Sequence, residues 1–190
     1  MNMLLLNGVS EKEDDAYQIY QVIDRCLKES DHQVHSYNLY QMNIAPCMGC
    51  FACWIDTPGE CIINDDGRLI AKELMQHDAV IFLSPVTFGG YSFELKKAVD
   101  RFIPNVMPFF RINQNEIHHI PRYQKYPNLI FIGTLPDKNP GMENTFFHLN
   151  QRNVINMYPN LYSQAIFYYH QSEEEIRIKF HQLMKDVEQI

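Results

Sequence analysis

The chain has few basic residues for its length, no long apolar run and no repeated or low-complexity segment. Its 190 residues include 16 lysines and arginines against 23 aspartates and glutamates, which gives a formal net charge of −7 at pH 7. This acidic balance argues against a nucleic-acid or anionic-membrane surface, so we expect neither partner. No Ser/Gly-rich linker divides the sequence, and 46% of its residues are apolar. We therefore expect a single domain over residues 1–190 with one substantial core.

The opening segment MNMLLLNG also lacks the features of a secretory leader. It has no basic flank, and its apolar run is too short for a signal peptide. A buried first strand is the better interpretation. We therefore expect a cytoplasmic protein. In that reducing compartment, clustered thiols more often bind metal or take part in redox chemistry than form disulfides.

Four of the five cysteines lie close together in the segment PCMGCFACWIDTPGEC. They are Cys47, Cys50, Cys53 and Cys61. The three-residue spacing brings the first three thiols into one neighbourhood, and Pro58-Gly59 favours a reversal that returns the fourth. Convergent thiolates suit an iron–sulfur cluster or a zinc ion. The spacing alone leaves a third interpretation open, in which four small thiols only pack in a tight loop.

Short apolar runs alternate with helical patterns along the chain. Strands are predicted at Met3–Leu6, Gln33–Tyr37, Ala79–Leu83, Asn128–Gly133 and Leu161–Tyr169. Helices are predicted near residues 14–28, 66–75, 95–102, 142–156 and 172–187. Asp65 or Asp66 can cap the second of these helices, and Ser172 with Glu175 forms a capping-box arrangement at the start of the last. This order predicts an α/β protein with a doubly wound, five-stranded parallel sheet and helices on both faces. Ligands bind such sheets at the carboxyl ends of the strands, where we expect Asn7–Asp14, the cysteine loop, Ser84–Tyr91 and Thr134–Gly141.

Two stretches at matching separation resemble the flavodoxin-like NAD(P)H-dependent FMN reductases, nearest their iron–sulfur flavoprotein branch. They are PCMGCFACWIDTPGECIINDDGRLI and SPVTFGGYSFELKKAVDRFIP, and the resemblance is strongest from about Ile44 to Pro104. It implies a flavodoxin-like fold, FMN as cofactor and NAD(P)H as reductant. The electron acceptor would be a quinone, a free flavin or another small molecule. The branch would place a 4Fe-4S cluster at the four cysteines, and no catalytic side chain is implied.

The resemblance also implies which residues hold FMN. The loop along the isoalloxazine ring corresponds to Pro85, Val86, Thr87, Phe88, Gly89 and Gly90, with Ser10 in the phosphate loop and Gly133 and Thr134 at the carboxyl end of the fourth predicted strand. Gly89-Gly90 would let backbone approach a flat ligand. A valine at Gly89 is therefore expected to block the flavin with little loss of fold. The alternative interpretation of SPVTFGG is a plain glycine turn.

The loop expected to hold the FMN phosphate departs from the family pattern. Lys12 is its only cation, and four acidic residues surround it: Glu11, Glu13, Asp14 and Asp15. At an effective dielectric constant near 20, each like-charge pair about 6 Å apart would cost on the order of 3 kcal/mol. We therefore expect weak FMN binding if these carboxylates face the phosphate. In the alternative interpretation they stabilise the first turn of the helix and point into water.

Residues 104–126 form an unusually long connection, rich in aromatic and basic side chains. Connections of this length are typically lids, binding loops or oligomer contacts. The apolar residues predict a homodimer or higher homo-oligomer. The cations are candidates for the phosphates of FMN or of a nicotinamide cofactor, or they form a solvated face. Trp54 either covers a cluster or simply packs.

Two functions remain open on the sequence alone. The first is a flavin oxidoreductase that takes electrons from NAD(P)H. The second is a non-catalytic, flavodoxin-like electron carrier, or an iron–sulfur or zinc protein whose flavin site has decayed. Fold alone does not decide between them.

Overall fold

The computed structural model describes residues 1–12, 14–113 and 115–188. The strands in these residues are β1 (Asn2–Asn7), β2 (Gln33–Asn38), β3 (Ala79–Pro85), β4 (Val106–Asn113), β5 (Glu116–Pro121), β6 (Asn128–Leu135) and β7 (Tyr162–Tyr168). The helices are α1 (Asp14–Glu29), α2 (Ala52–Ile55), α3 (Asp66–Leu74), α4 (Phe93–Asp100), α5 (Pro140–Met157) and α6 (Glu173–Glu188). Every helix and strand predicted from the sequence is therefore present.

Five of the strands form one parallel sheet in the order β2-β1-β3-β6-β7. This is the flavodoxin-like order of a doubly wound sheet, with its switch point between β1 and β3. The register places Leu5 beside Ile81 and Ile81 beside Ile130. The predicted five-stranded, flavodoxin-like sheet is confirmed.

The central strands are buried on both faces, as their continuous apolar runs predict. One face packs against α1 and α6 through residues such as Leu5 and Ile132, while Leu4 and Phe131 face the second core with α3, α4 and α5. Each fully buried aliphatic or aromatic side chain of this kind stabilises the fold by roughly 1.5–3 kcal/mol. The two cores hold the sheet rigidly and leave its carboxyl edge to the loops.

Two helix starts agree with their predicted capping residues. The Asp65 carboxylate accepts a hydrogen bond from the Arg68 amide at the start of α3. Before α6, the Ser172 amide donates to Glu175 Oε2 (2.7 Å) and the Glu175 amide donates to Ser172 Oγ (3.3 Å). This reciprocal pair is the predicted capping box.

The sequence did not predict α2 or the antiparallel hairpin β4–β5. The hairpin occupies the long connection 104–126 and docks beside α5, where the His118 ring bonds Asn156 Oδ1 (3.0 Å). Its apolar side chains do not alternate between a buried and an exposed face, because Phe109, Phe110, Ile112 and Ile117 are all exposed. The period of two that identifies a half-buried strand is therefore missing.

Within the described residues, no helix combines the length and the apolar character needed to cross a lipid bilayer.

Candidate functional site

The segment that follows β3 turns sharply before α4 begins. The Thr87 amide donates to the Gly90 carbonyl (3.0 Å), and the Gly90 amide donates to the Thr87 carbonyl (2.9 Å). Between them, Phe88 and Gly89 have φ angles of 50° and 80°, the positive values typical of a type I′ turn. Pro85 and Val86 are buried, whereas Phe88 is 92% exposed at the tip of the turn. The Thr87–Gly90 turn, which we call the ring turn, therefore presents an aromatic side chain at the carboxyl edge of the sheet.

The two glycines of this turn have different surroundings. A Cβ on Gly89 would lie 2.6 Å from Cβ and Cγ2 of Thr145 on α5. A Cβ on Gly90 would meet only the Thr87 carbonyl oxygen, at 3.6 Å. The expectation that a valine at Gly89 would leave the fold intact is therefore wrong, because its side chain would collide with α5. Gly90 is the position where a side chain can enter the ligand space without that collision.

A network without charged side chains fixes the start of α4 against two strand ends. Ser92 Oγ donates to the Gly8 carbonyl (2.8 Å), and the Ser92 amide donates to Ser84 Oγ (2.7 Å). A Cβ on Gly8 would lie 2.7 Å from Ser92 Oγ, so only glycine fits at this contact. The network joins the β1–α1 loop, the end of β3 and the ring turn into one unit.

The β1–α1 loop is shaped by local side-chain contacts. Asn7 Oδ1 accepts from the Val9 amide (2.9 Å), and the Lys12 amide donates to Ser10 Oγ (3.2 Å). Both bonds link a residue to the one two positions on, as in Asx and ST turns. They bring Ser10 to the carboxyl end of β1, beside the start of α1.

The acidic residues of this loop lie partly outside the described structure. Glu13 and the side chain of Asp14 belong to that part. Glu11 and Asp15 are exposed, and Glu11 Oε1 accepts a hydrogen bond from Gln41 Nε2 (3.2 Å). These two carboxylates therefore face water, which favours the interpretation that acidic residues stabilise the start of α1.

The end of β6 carries an unsatisfied polar group that fits a ligand. Thr134 is buried, and its Oγ1 has no hydrogen-bond partner among the described residues. A buried hydroxyl without a partner is uncommon and marks a place for a further polar atom. Gly133, beside it, is closely packed, because a Cβ there would lie 2.5 Å from Ile166 Cδ1 and 2.7 Å from Val86 Cγ2. The ring turn, the loop amides and Thr134 together fit a flat ligand with polar edges, such as FMN.

The four clustered cysteines line a single open pocket of about 200 Å³. Cys53 is buried on α2, Cys61 is half-buried, and Cys47 and Cys50 are exposed. Most of the remaining wall is apolar, formed by Met48, Phe51, Ile63, Ile103 and Pro104. The predicted convergence of the four thiols on one place is therefore present in the fold.

The backbone achieves this convergence by tight bends. Gly49 and Phe51 have φ angles of 65° and 57°, which fold the segment back before α2. The Glu60 amide donates to the Thr57 carbonyl (2.9 Å), and Gly59 between them has φ of 92°. Pro58 followed by a glycine with positive φ is the signature of a type II turn. This is the predicted reversal that returns Cys61 to the pocket.

The four thiols also lie close enough to affect one another. Burial makes the largest contribution to the raised pKa of the Cys53 thiol, and the nearby Cys61, Cys47 and Cys50 raise it further.

The fifth cysteine, Cys26, is separate from this set. It is buried on α1, within 3.6 Å of Arg177 Nη1 on α6.

A buried ion pair, which the sequence interpretation missed, holds both ends of the cysteine segment. Arg101 is only 1% exposed, and its guanidinium bonds both carboxylate oxygens of Asp65 (2.8 and 2.9 Å). The same group donates to the carbonyls of Ala45 (2.7 Å) and Ile63 (3.3 Å), which flank the cysteines. Burial lowers the pKa of Arg101, but Asp65 and the adjacent Cys61 outweigh it, and the net shift is upward.

Gly67 makes room for this guanidinium. A Cβ at that position in α3 would lie 3.2 Å from Arg101 Cζ. The sequence contains both charged residues, but two helices and a strand separate them along the chain, and the aspartate lies 36 residues before the arginine.

Trp54 packs and does not line the cysteine pocket. Its Nε1 donates to the carbonyls of Ile103 (3.1 Å) and Val106 (2.9 Å), and its ring stacks on Phe51 at 5.2 Å and contacts His119 at 4.7 Å. It joins the cysteine segment to the base of the hairpin. Of its two predicted roles, packing is the one observed.

Three cations of the 104–126 connection have partners within the protein. Arg122 Nε donates to the Pro104 carbonyl (2.7 Å), and the Arg111 guanidinium lies 4.6 Å from the centre of the Tyr158 ring. Lys125 pairs with Asp78, next to the amino end of β3 (2.8 Å). That end is opposite the β1–α1 loop, so Lys125 does not supply charge to a phosphate there.

The ring turn and the cysteine pocket lie at opposite ends of α4. The turn precedes the helix, whereas Asp100, Arg101 and Ile103 at its far end line the pocket. An eight-residue helix rises about 12 Å. The cysteine loop was expected beside the other loops at the carboxyl edge of the sheet, but the pocket that its thiols line lies at the far end of α4 from the ring turn.

The sequence pattern of a family described as NADPH-dependent FMN reductase matches residues 1–116, from β1 into β5. An iron-sulfur flavoprotein of Methanocaldococcus jannaschii is 30% identical over 104 residues, which cover 55% of this chain and 53% of that protein. The chain spans about half the length of the curated relatives it matches first.

Solved structures share the fold at low sequence identity. An azoreductase from Bacillus anthracis superposes with a TM-score of 0.68 at 10% identity, over the whole of both chains. An NAD(P)H:quinone oxidoreductase from Methanothermobacter marburgensis gives 0.67 at 12% identity, over 96% of each chain. At these identities the likeness extends to the fold alone.

Proposed function

This chain belongs to the NADPH-dependent FMN reductase family, and we propose that it passes electrons from NAD(P)H through FMN to a small-molecule acceptor. The predicted family and its cofactor pair, FMN with NAD(P)H, agree with the match to residues 1–116. The acceptor proposed is a flat conjugated molecule, such as a quinone or a free flavin. The exposed Phe88 ring supports this choice, because aromatic rings stack on flat acceptors.

The observation that carries the proposal is the group of residues at the carboxyl edge of the sheet, which we call the flavin cradle. The Thr87–Gly90 turn would support the flavin ring, Ser10 and the start of α1 would hold the phosphate, and the Thr134 hydroxyl would gain its missing partner. When bound, FMN supplies hydride acceptance from nicotinamide and onward electron transfer. The protein's contribution is to position and shield the ring, because no side-chain acid or base is required.

The experiment compares two single variants of the full chain. Gly90→Val should lower FMN affinity at least about tenfold, since its side chain enters the ring space, while circular dichroism and thermal unfolding remain close to wild type. Cys50→Ser, at the far end of α4, should retain FMN and serves as the control. A Gly90→Val protein with stoichiometric FMN and unchanged NAD(P)H oxidation would overturn the proposed placement.

We further propose that the four cysteines hold a 4Fe-4S cluster. The shared pocket and its apolar wall support this, and so does the Arg101 charge beside Cys61, because cluster ligands bind as thiolates. When bound, such a cluster supplies one-electron transfer. Arg101 and Asp65 would position the loop that carries the ligands.

A non-catalytic electron carrier is the second candidate, and the acidic β1–α1 loop is the observation that favours it. In that case purified protein would show the broad absorbance of a cluster without flavin bands, and added FMN would not support NAD(P)H oxidation. Flavin bands together with NAD(P)H turnover would exclude it.

Assembly as a homodimer is also proposed, with the hairpin as the contact. Four of its apolar side chains are exposed: Phe109, Phe110, Ile112 and Ile117. A patch of this kind usually marks an interface, and two-fold pairing is the commonest arrangement. Sedimentation at about 20 μM should give twice the chain mass, in the concentration range where weak dimers form. A species of 22.4 kDa alone would contradict the proposal.

A further inference from the structure

Three side chains that belong to neither candidate redox site meet beside the edge strand of the sheet. His35 lies on β2, Glu73 on α3, and His77 in the loop between α3 and β3. His77 is buried, the Glu73 side chain is 17% exposed, and the His35 side chain is 59% exposed. The three therefore form a small polar site with one open side.

Hydrogen bonding fixes how His77 presents its ring. Its Nδ1 lies 2.6 Å from the Glu73 carbonyl oxygen. A carbonyl oxygen only accepts, so Nδ1 carries the proton and Nε2 of the neutral ring keeps its lone pair. Metal-binding histidines are typically oriented in this way, with the second ring nitrogen donating to a backbone carbonyl.

The three ligand atoms match one face of a metal tetrahedron. His77 Nε2 lies 3.2 Å from His35 Nδ1, and Glu73 Oε2 lies 3.7 Å from His35 Nδ1 and 3.9 Å from His77 Nε2. Nitrogen and oxygen ligands about 2.0–2.2 Å from a tetrahedral zinc ion lie about 3.3–3.6 Å apart. A shift of a few tenths of an ångström by the Glu73 carboxylate toward His77, with a matching adjustment of the exposed His35 ring, closes the difference.

We propose that His35, Glu73 and His77 bind a divalent transition-metal ion of the zinc type. Two imidazoles and one carboxylate suit zinc, and the open side beside His35 leaves the fourth position for water. The ion would tie edge strand β2 to the end of α3 and the start of β3. The site is independent of the cysteines and of the flavin cradle.

Zinc titration of the full chain by calorimetry tests the proposal. His35→Gln removes an exposed ligand on an edge strand, so the fold should survive, and it should weaken one zinc site by at least about hundredfold. Zinc bound by thiols would contribute equally to both proteins and cancels in the comparison. Glu73→Gln keeps the shape but removes the charge and should also weaken that site. His170→Gln, at an exposed histidine near Asp137, is the matched control and should bind like wild type.

Nitrogen-15 NMR of the histidine side chains identifies the atoms. Zinc should shift His35 Nδ1 and His77 Nε2 and leave His170 unchanged. Identical isotherms for wild type and His35→Gln, with no change at these nitrogens, would overturn the proposal and leave a hydrogen-bonded triad.

Discussion

The two ends of α4 carry the two candidate redox sites, and they are built in different ways. At its start, Ser92 joins Gly8 and Ser84 through hydrogen bonds without charged side chains. At its end, Arg101 and Asp65 form a buried ion pair that clamps the cysteine segment. Loss of one hydrogen bond at the start of the helix leaves no buried charge. Loss of Arg101 or Asp65 at its end leaves the other charge buried without a partner.

Removing the clamp should have the largest effect. Arg101→Met leaves the Asp65 carboxylate buried without its partner, and we expect the free energy of unfolding to fall by about 3–5 kcal/mol. Chemical denaturation measures it. Lys96→Met is the control on the same helix, because the Lys96–Asp100 pair is exposed and such pairs contribute about 1 kcal/mol or less. Equal losses in the two variants would contradict the distinction between the two ends.

The ring turn is next in expected effect. Gly89→Ala places a Cβ against Thr145 at a positive φ, and we expect a loss of about 2–4 kcal/mol in unfolding free energy. Gly90→Ala, its neighbour with open space, should change stability by about 0.5 kcal/mol or less. Thermal and chemical unfolding of the pair measure the difference. A neutral Gly89→Ala would mean that the turn is not packed on α5 as described.

Lowering the pH should weaken the Arg101–Asp65 ion pair before it affects the ring turn. Burial raises the pKa of Asp65, but the hydrogen bonds from Arg101 and Ala45 outweigh it and hold that pKa below its usual value. The unfolded state therefore binds the proton first, so the stabilisation is complete above about pH 4 and is lost as pH falls through the folded-state pKa.

Unfolding free energies between pH 6 and pH 2 check this sign. Stability should fall less steeply below about pH 4 in Asp65→Asn than in wild type. Asp78→Asn is the surface control: the Lys125 hydrogen bond also lowers the pKa of Asp78, but that side chain is partly exposed. A slope that is the same in wild type and Asp65→Asn would contradict the clamp.

The smallest effect is expected at the phosphate loop. Glu11 is exposed, so Glu11→Ser should tighten FMN binding by less than about fivefold at low salt and not at all at high salt. Calorimetric FMN titration at two salt concentrations measures this. A gain of a hundredfold would mean that the carboxylate turns toward the phosphate, as the dielectric estimate from the sequence assumed.

What the sequence could predict was local or periodic. The apolar runs identified the sheet, Asp65 and Ser172 were recognisable as helix caps, and Pro58-Gly59 predicted the turn that returns Cys61. What it could not predict depends on distant partners. The Arg101–Asp65 pair joins residues 36 positions apart, and Thr145 closes on Gly89 from another helix. The sequence contains no strand signal for the hairpin, because its exposed apolar side chains do not follow the alternation of a half-buried strand.

The central claim is that α4 separates two redox sites of different kinds, a flavin cradle before it and a cluster pocket after it. Anaerobic reconstitution with FMN, iron and sulfide, followed by counting all three in one sample, tests it most directly. We predict one FMN and about four irons per chain. We also expect the iron, but not the FMN, to be lost in Cys61→Ser and retained in Cys26→Ser. Fewer than two irons per chain, with Cys61→Ser indistinguishable from wild type, would contradict the account.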